Sequence, residues 1–440
     1  MKHYRLKLKT LVETQMNKFV SLTEWLTWQE SLHPLPIDLG LERVKRVFER
    51  LKKIPFQGVT ITVAGTNGKG STVAYLEQFY FASGHKVGAY TSPHILRYNE
   101  RIKINGKPVS DELICAAFEQ IDLARGDISL SYFEFSTLAA LLIFSQQNVA
   151  VQLLEVGLGG RLDAVNIVDA DMAIVTSIAI DHVEYLGQTR EEIGLEKAGV
   201  FRPNTPAIIS DLRPPASLLN YANEQNTLLL CLGKTFFYEK HGDTWTWQGL
   251  SQTISDLPNP ALKGNHQFRN ASAAIFATQC LANRLPVSES SIKMGLKNVK
   301  LAGRFQLVNG EVPILLDVGH NPQAVQTLVD YLAENFPNRR IHAIFSIMKD
   351  KDIASVLELM KPVVSDWFFA PLPQNPRAVT ESAMIEMFKK TQIQLVNLGF
   401  SGFAQAFAAA KNNAKSGDLI LVFGSFFLIS DCCANLKIGE

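Results

Sequence analysis

Seven residues, Gly65-Thr66-Asn67-Gly68-Lys69-Gly70-Ser71, constrain this chain more than any others. They follow the apolar, β-branched run Val59-Thr60-Ile61-Thr62-Val63-Ala64 and precede a helical pattern that begins near Thr72. A strand, a glycine-rich turn and a helix N-terminus together make an anion site. The glycines let backbone N–H groups approach phosphate closely, and the helix end adds partial positive charge. Lys69 can reach outer phosphates, and Ser71 can offer a hydroxyl to Mg²⁺. The spacing departs from the Walker A form, because Lys69 is followed by Gly70 rather than Ser or Thr. A turn that binds nothing would need neither the lysine nor the strand–helix setting.

The 440 residues exceed what one domain usually holds, so two are expected. A hydrophobic content of 47% supplies full cores. A net charge of +1 removes any bulk electrostatic case for nucleic acid or a membrane surface. Five scattered cysteines without metal-ligand spacing fit a reducing cytoplasm. Lys2, Arg5, Lys7 and Lys9 precede no long apolar segment, so a secretory signal is not expected, and no run of transmembrane length occurs. Residues 1–18 read as an N-terminal extension, with Met16 as an alternative start just ahead of Phe19, Leu22, Trp25 and Leu26.

From residue 59 onward, strand-like runs alternate with helical patterns. Val87–Tyr90, Val149–Glu155, Met172–Ile178 and Ala207–Ser210 read as strands; Asp111–Ala124, Phe135–Gln146 and Glu191–Ala198 read as helices. The alternation predicts a parallel α/β sheet with helices on both faces. Ligands of such sheets gather beyond the carboxyl ends of strands, where the glycine loop, Thr91-Ser92-Pro93-His94, Glu155 and Asp181-His182 all fall. Residues 233–256 read as a short β insertion, and His266–Asn283 as a helix. A second series of strands follows at Ile314–Val318, His342–Ile347, Trp367–Ala370 and Leu419–Phe423. The expected organisation is an α/β chain: an ATPase-like parallel-sheet domain at 19–299 and a smaller Rossmann-like domain at 300–440.

Glu155 ends a buried strand before Gly157, Gly159 and Gly160. A buried carboxylate needs a cation, which makes Glu155 a Mg²⁺ ligand candidate, with a salt bridge to Arg161 as the alternative. His182 follows another strand and reads as a ligand rather than a core histidine in that company. Lys197 closes a short helix. It is either a solvated helix-end lysine or a buried amine able to form a carbamate with CO₂, an oxygen ligand suited to Mg²⁺. In the second series Arg304 can clamp phosphate and Asp317 can accept from ribose hydroxyls, while Asn321 caps a helix that starts at Pro322.

These motifs, in this order from Ile37-Asp38-Leu39-Gly40-Leu41-Glu42-Arg43-Val44 to Gly424-Ser425, resemble the folylpolyglutamate synthase/dihydrofolate synthase family of the Mur ligase superfamily. The resemblance implies an ATP-dependent amide ligase acting through an acyl phosphate. ATP would be held by the Gly65–Ser71 loop, above all by Lys69, and by Asn270, Arg304, Asp317 and His320. Ser92 and Glu155 would hold one Mg²⁺; His182 and a carbamylated Lys197 would help hold a second. The acceptors implied are 7,8-dihydropteroate and reduced folates, joined to L-glutamate. Phe133 would stack on the pterin and Asp163 would hydrogen-bond it, with Leu39 and Gly40 nearby. The chain departs from the family pattern at Ala302, where proline is common, and at Val318, where a small residue is common; neither change removes a charged group.

Three rival functions share part of this pattern. A Mur ligase with another acceptor shares the chemistry but not the Ile37–Val44 segment. A P-loop kinase would not need the Arg304/Asp317/His320 domain. A nonenzymatic nucleotide switch lacks an Asn-Lys-x-Asp motif here. The expected protein is a cytoplasmic monomer with small-molecule partners and no nucleic acid or membrane partner. It is either bifunctional or a folylpolyglutamate synthase alone.

Overall fold

The computed structural model describes residues 18–35, 37–51 and 56–438. The expected extension at 1–18, with Met16, lies outside these residues apart from Lys18. The chain forms two compact units.

One unit, built from 1–57 and 109–148, is helical among the described residues. Its helices are Leu22–Leu32, Glu42–Leu51, Asp111–Arg125 and Tyr132–Gln146. The last begins earlier than the expected Phe135, because Ser131 and Glu134 form a reciprocal cap that fixes its first turn. Trp25, Phe118 and Phe135 meet at ring separations of 5.2–6.4 Å and close the unit's aromatic core.

The other unit, 58–108 with 149–440, carries three sheets. The largest contains β1 (Val59–Ala64), β2 (Val87–Tyr90), β3 (Ile102–Ile104), β4 (Lys107–Pro108), β5 (Val151–Glu155), β6 (Met172–Val175), β7 (Pro206–Ile209) and β8 (Leu228–Cys231), in the order β4-β3-β2-β5-β1-β6-β7-β8. The run from β2 to β8 is parallel, and β1 and β5 are buried at every residue, as strands covered on both faces should be. The β3–β4 hairpin was not legible, since three- and two-residue strands carry no usable period. β6 stops at Val175 rather than Ile178: Thr176 still bonds the end of β1 at Ala64, and Ser177 turns to bond Thr66 and Asn67 of the glycine loop. Helices Lys69–Ala82, His266–Cys280 and Glu289–Asn298 share one apolar core with this sheet.

The expected β insertion is present as β9 (Phe237–His241), β10 (Thr244–Gln248) and β11 (Thr253–Pro258), an antiparallel meander that buries Trp245 and Trp247. The third sheet has six strands: β12 (Gln306–Val308), β13 (Ile314–Asp317), β14 (Ile341–Phe345), β15 (Asp366–Phe369), β16 (Val396–Asn397) and β17 (Leu419–Phe423), ordered β12-β13-β17-β14-β15-β16. Alternate residues serve its two faces. Leu315, Ala343, Phe345 and Leu421 enter one core, and Leu316, Ile344, Phe368 and Val422 enter another. No helix among the described residues is long and apolar enough to cross a membrane.

Candidate functional site

Register decides what meets at the end of the large sheet. Val63 pairs with Glu155 and Ile174, and Tyr90 pairs with Leu154. The segments following β1, β2, β5 and β6 therefore emerge side by side. The glycine loop turns there with backbone that only glycine adopts freely. Gly65 has φ +141° and a Cβ on it would lie 1.8 Å from Thr176 Oγ1; Gly68 has φ +96° and a Cβ on it would lie 2.6 Å from Asn270 Oδ1. The helix then starts at Lys69, three residues ahead of the expected Thr72.

Lys69 Nζ folds back to donate to the carbonyls of Gly65 (3.0 Å) and Thr66 (3.2 Å). Burial lowers its pKa, against the pull of Glu155 and Asp181. Glu155 is 5% exposed and accepts from Ser92 N at 3.3 Å. Burial raises its pKa. Arg161, the alternative partner, pairs instead with Glu196 at 2.8 Å. Glu155 thus has no ion-pair partner within contact distance among the described residues, and the loop lysine is its nearest large charge effect.

Lys197 is buried, so it is not a solvated helix-end lysine. Its Nζ donates to Gly65 O at 3.1 Å. Burial, and then Lys69, bring its pKa from 10.5 down to about 7. His182 sits in left-handed backbone (φ +52°), and burial pushes its pKa down to about 3, leaving a neutral imidazole. Asp163 accepts from Leu158 N (2.8 Å) and Val165 N (3.0 Å), and burial raises it to about 6. It organises the Gly157–Gly160 turn.

The third sheet contributes the opposite wall. Asp317, ending β13, accepts from Gly319 N (2.8 Å) and Phe305 N (3.2 Å); burial raises its pKa to about 6 despite Arg304. Arg304 stacks its guanidinium 5.1 Å from the Phe426 ring centre. Asn321 caps the helix Pro322–Asn335, as expected for Asn before Pro. It also bonds Asp181 (3.1 Å) and Asn67 (3.0 Å). His320 Nε2 faces Asp181 at 3.4 Å. Burial alone would raise the Asp181 carboxyl, but His320, His182 and Lys351 hold it far below the usual range.

Gly65–Ser71, Ser92, Glu155, His182, Lys197, Asn270, Arg304, Asp317 and His320 all line one cavity. Asp163 does not line it. Leu39, Gly40 and the half-buried Phe133 belong to the helical unit.

The chain matches the Mur ligase middle domain over 63–278 and the Mur ligase glutamate ligase domain over 303–426. It is 42% identical over 409 residues to the dihydrofolate synthase/folylpolyglutamate synthase of Escherichia coli K12, covering 93% of this chain and 94% of that one. The chain belongs to the dihydrofolate synthase/folylpolyglutamate synthase family. Among solved members, E. coli FolC in complex with DHPP and ADP is 41% identical with a TM-score of 0.89, covering 95% of this chain and 98% of that one. A bifunctional enzyme with Mn, AMPPNP and L-glutamate bound is 40% identical with a TM-score of 0.87, covering 95% and 98%.

Within this family site, the sequence reading missed three residues. Lys351, its side chain 5% exposed, donates to Asp181 at 2.6 Å and to His182 Nε2 at 3.3 Å. Gln323 accepts from Asn67 (2.8 Å) and Ser177 (3.0 Å). Gln267 links Ser71 (3.3 Å) to Asn270 (3.1 Å). The charged run Lys349-Asp350-Lys351, shortly after the expected strand His342–Ile347, was the available signal for the first; nothing local marks the glutamines.

Proposed function

We propose that the chain joins L-glutamate to 7,8-dihydropteroate and to the γ-carboxylate of reduced folates, using ATP and a divalent cation. The carrying observation is the convergence of Lys69, Glu155, Lys197, Arg304 and Asp317, from two sheets, on one cavity. The relatives named as bifunctional support both acceptors.

A carboxylate is a poor acylating agent until its oxygen becomes a phosphate leaving group. Transfer of the γ-phosphoryl to the acceptor gives an acyl phosphate, the glutamate amine attacks its carbonyl carbon, and phosphate departs as the amide forms. The chain's own part is alignment and charge neutralisation. Lys69 and Arg304 face the transferring phosphate from the two sheets, and the Gly65–Ser71 amides hold the neighbouring oxygens. Asp317 takes ribose hydroxyls, with Asn270 and His320 as further nucleotide contacts.

The donor set fits a divalent cation. Glu155 is a buried carboxylate without a cationic contact among the described residues, and Ser92 stands beside it. His182 is neutral, and burial lowers Lys197 to about 7, so near neutrality a good share of its amine is unprotonated and able to add CO₂ as a carbamate. Among the described residues no three His, Cys, Asp or Glu side chains group as a ready metal site. Phosphate oxygens and a carbamate at Lys197 would have to supply the remaining oxygen ligands. A bound cation would offset phosphate charge.

Phe133 would stack on the pterin, with Leu39, Gly40 and Asp163 as its further contacts. The chain is read as a cytoplasmic monomer whose 19–299 and 300–440 portions hinge near residue 300 on nucleotide binding.

The test is glutamate- and Mg²⁺-dependent phosphate release from ATP, with 7,8-dihydropteroate and with tetrahydrofolate. Turnover with both supports a bifunctional enzyme. Turnover with tetrahydrofolate alone leaves a folylpolyglutamate synthase, and silence with both points to another acceptor.

A further inference from the structure

The helix Glu42–Leu51 places Arg43, Arg46 and Arg50 at positions i, i+3 and i+7, so all three share one face. With Arg125 they line an open groove within the helical unit. Two of the four are neutralised by carboxylates. Arg43 pairs with Asp38 and with Glu134 (2.9 Å), and Arg125 pairs with Asp122 (2.6 Å). The other two pair with no carboxylate among the described residues. Arg50 donates one nitrogen to the carbonyls of Ala124 (2.8 Å) and Arg125 (3.0 Å), which fixes its guanidinium and leaves its charge uncompensated. Arg46 is exposed and has no hydrogen bond or ion pair among the described residues. Asp127 is the lone carboxylate in the lining and opposes them in part.

The groove adjoins, in the same unit, the segments named for folate. Leu39 and Gly40 precede the arginine helix, and Ser129, in the lining, lies four residues before Phe133. Each round of the proposed reaction adds one α-carboxylate to the folate tail, so the substrate becomes a longer polyanion while its reacting γ-carboxylate stays at the same place. A guanidinium held by the fold, as that of Arg50 is, suits such carboxylates, as it binds two oxygens at once and loses little freedom on doing so, and Arg46, one turn away on the same face, adds a second positive charge.

We infer that the Arg46/Arg50 groove binds the oligo-γ-glutamyl tail of extended folate substrates and so favours chain elongation; this rests on the ligase reading above. The test compares tetrahydrofolate monoglutamate and pentaglutamate as acceptors for the full-length chain and for Arg46→Glu and Arg46→Lys. Arg46→Glu should raise KM for the pentaglutamate about fivefold, with kcat unchanged and monoglutamate and dihydropteroate kinetics unchanged. Arg46→Lys should restore most of the loss, and added salt should narrow the gap between variants. An unchanged pentaglutamate KM, or equal shifts with both acceptors, overturns the inference. So does equal competition by a γ-glutamyl pentapeptide and an inorganic polyphosphate of matched charge, which would make the groove a general anion surface. Wild-type silence with every acceptor would instead overturn the ligase reading.

Discussion

Two strand ends face the same cavity with the same kind of side chain and opposite arrangements around it. Asp317 ends β13 and Glu155 ends β5; they are 6% and 5% exposed. Burial raises the pKa of both. Asp317 accepts from two backbone N–H groups, Gly319 in the loop that follows it and Phe305 just ahead of β12, so the chain itself supplies what a buried carboxylate needs. Glu155 has one long contact, from Ser92 N at 3.3 Å, and no ammonium or guanidinium touching it among the described residues. The first acid holds a loop in shape, and the second leaves its demand to be met by an arriving cation.

That contrast is sharpest in Glu155→Gln. The amide keeps the volume and needs no counter-charge. Phosphate release should fall about 100-fold or more, with a thermal midpoint equal to or above wild type. A matching loss of stability would make Glu155 a structural acid like Asp317. Lys197→Ala should lower turnover by a similar order while the fold holds, and wild-type activity should respond to bicarbonate. Near-normal turnover with no bicarbonate response would remove the carbamate.

Asp317→Asn is the mirror experiment. Its amide cannot accept from both N–H groups with both arms, so unfolding free energy should drop by about 1–3 kcal/mol and KM for ATP should rise. Stability retained with activity abolished would reverse the assignment of the two acids.

Lys197 also predicts a pH signature. Its folded pKa lies near 7, below the 10.5 of an ordinary lysine, because burial disfavours the charge. Below pH 7 the ammonium is present in both folded and unfolded chains, and its burial penalty is full. From pH 7 toward 10.5 the unfolded chain holds a proton the folded chain has lost, so this group's contribution to stability improves as pH rises. Lys197→Met should flatten that rise, by at most about 1.4 kcal/mol per pH unit, read from denaturant unfolding between pH 7 and 9. Parallel curves for the two proteins would place the amine in water.

The smallest effect is expected for Gln323→Ala. It removes neutral hydrogen bonds from Asn67 and Ser177, and about a two- to fivefold loss in kcat/KM should follow.

The sequence made the glycine loop legible because everything it needs is local: a β-branched strand, glycines at two strained positions, a lysine and a helix. Asn321 before Pro322 was legible for the same reason, as capping chemistry acts across three residues. Glu155 was found because a charged residue ending an apolar run is conspicuous. Its freedom from Arg161 was not visible, since Arg161 finds Glu196 35 residues away. Lys197 could be narrowed only to two readings, because a nine-residue helix shows a period and not which neighbours cover its end. Lys351 and Gln323 reach partners 146 to 256 residues away, pairings that only the folded chain sets. The short strands β3, β4, β12 and β16, at or next to the sheet edges, fell below the length at which alternation can be read.

The left-handed backbone at His182 also bears on which sequences can occupy this fold. A saturation library at that position would be sieved twice. Valine, isoleucine and threonine would fail first on conformation, whatever their chemistry; glycine, asparagine and aspartate would fold there and then be judged on the imidazole they lack. Survivors of a selection for folding alone and of one for growth would thus form two different lists, and only the residues missing from the second would speak to what the ring does.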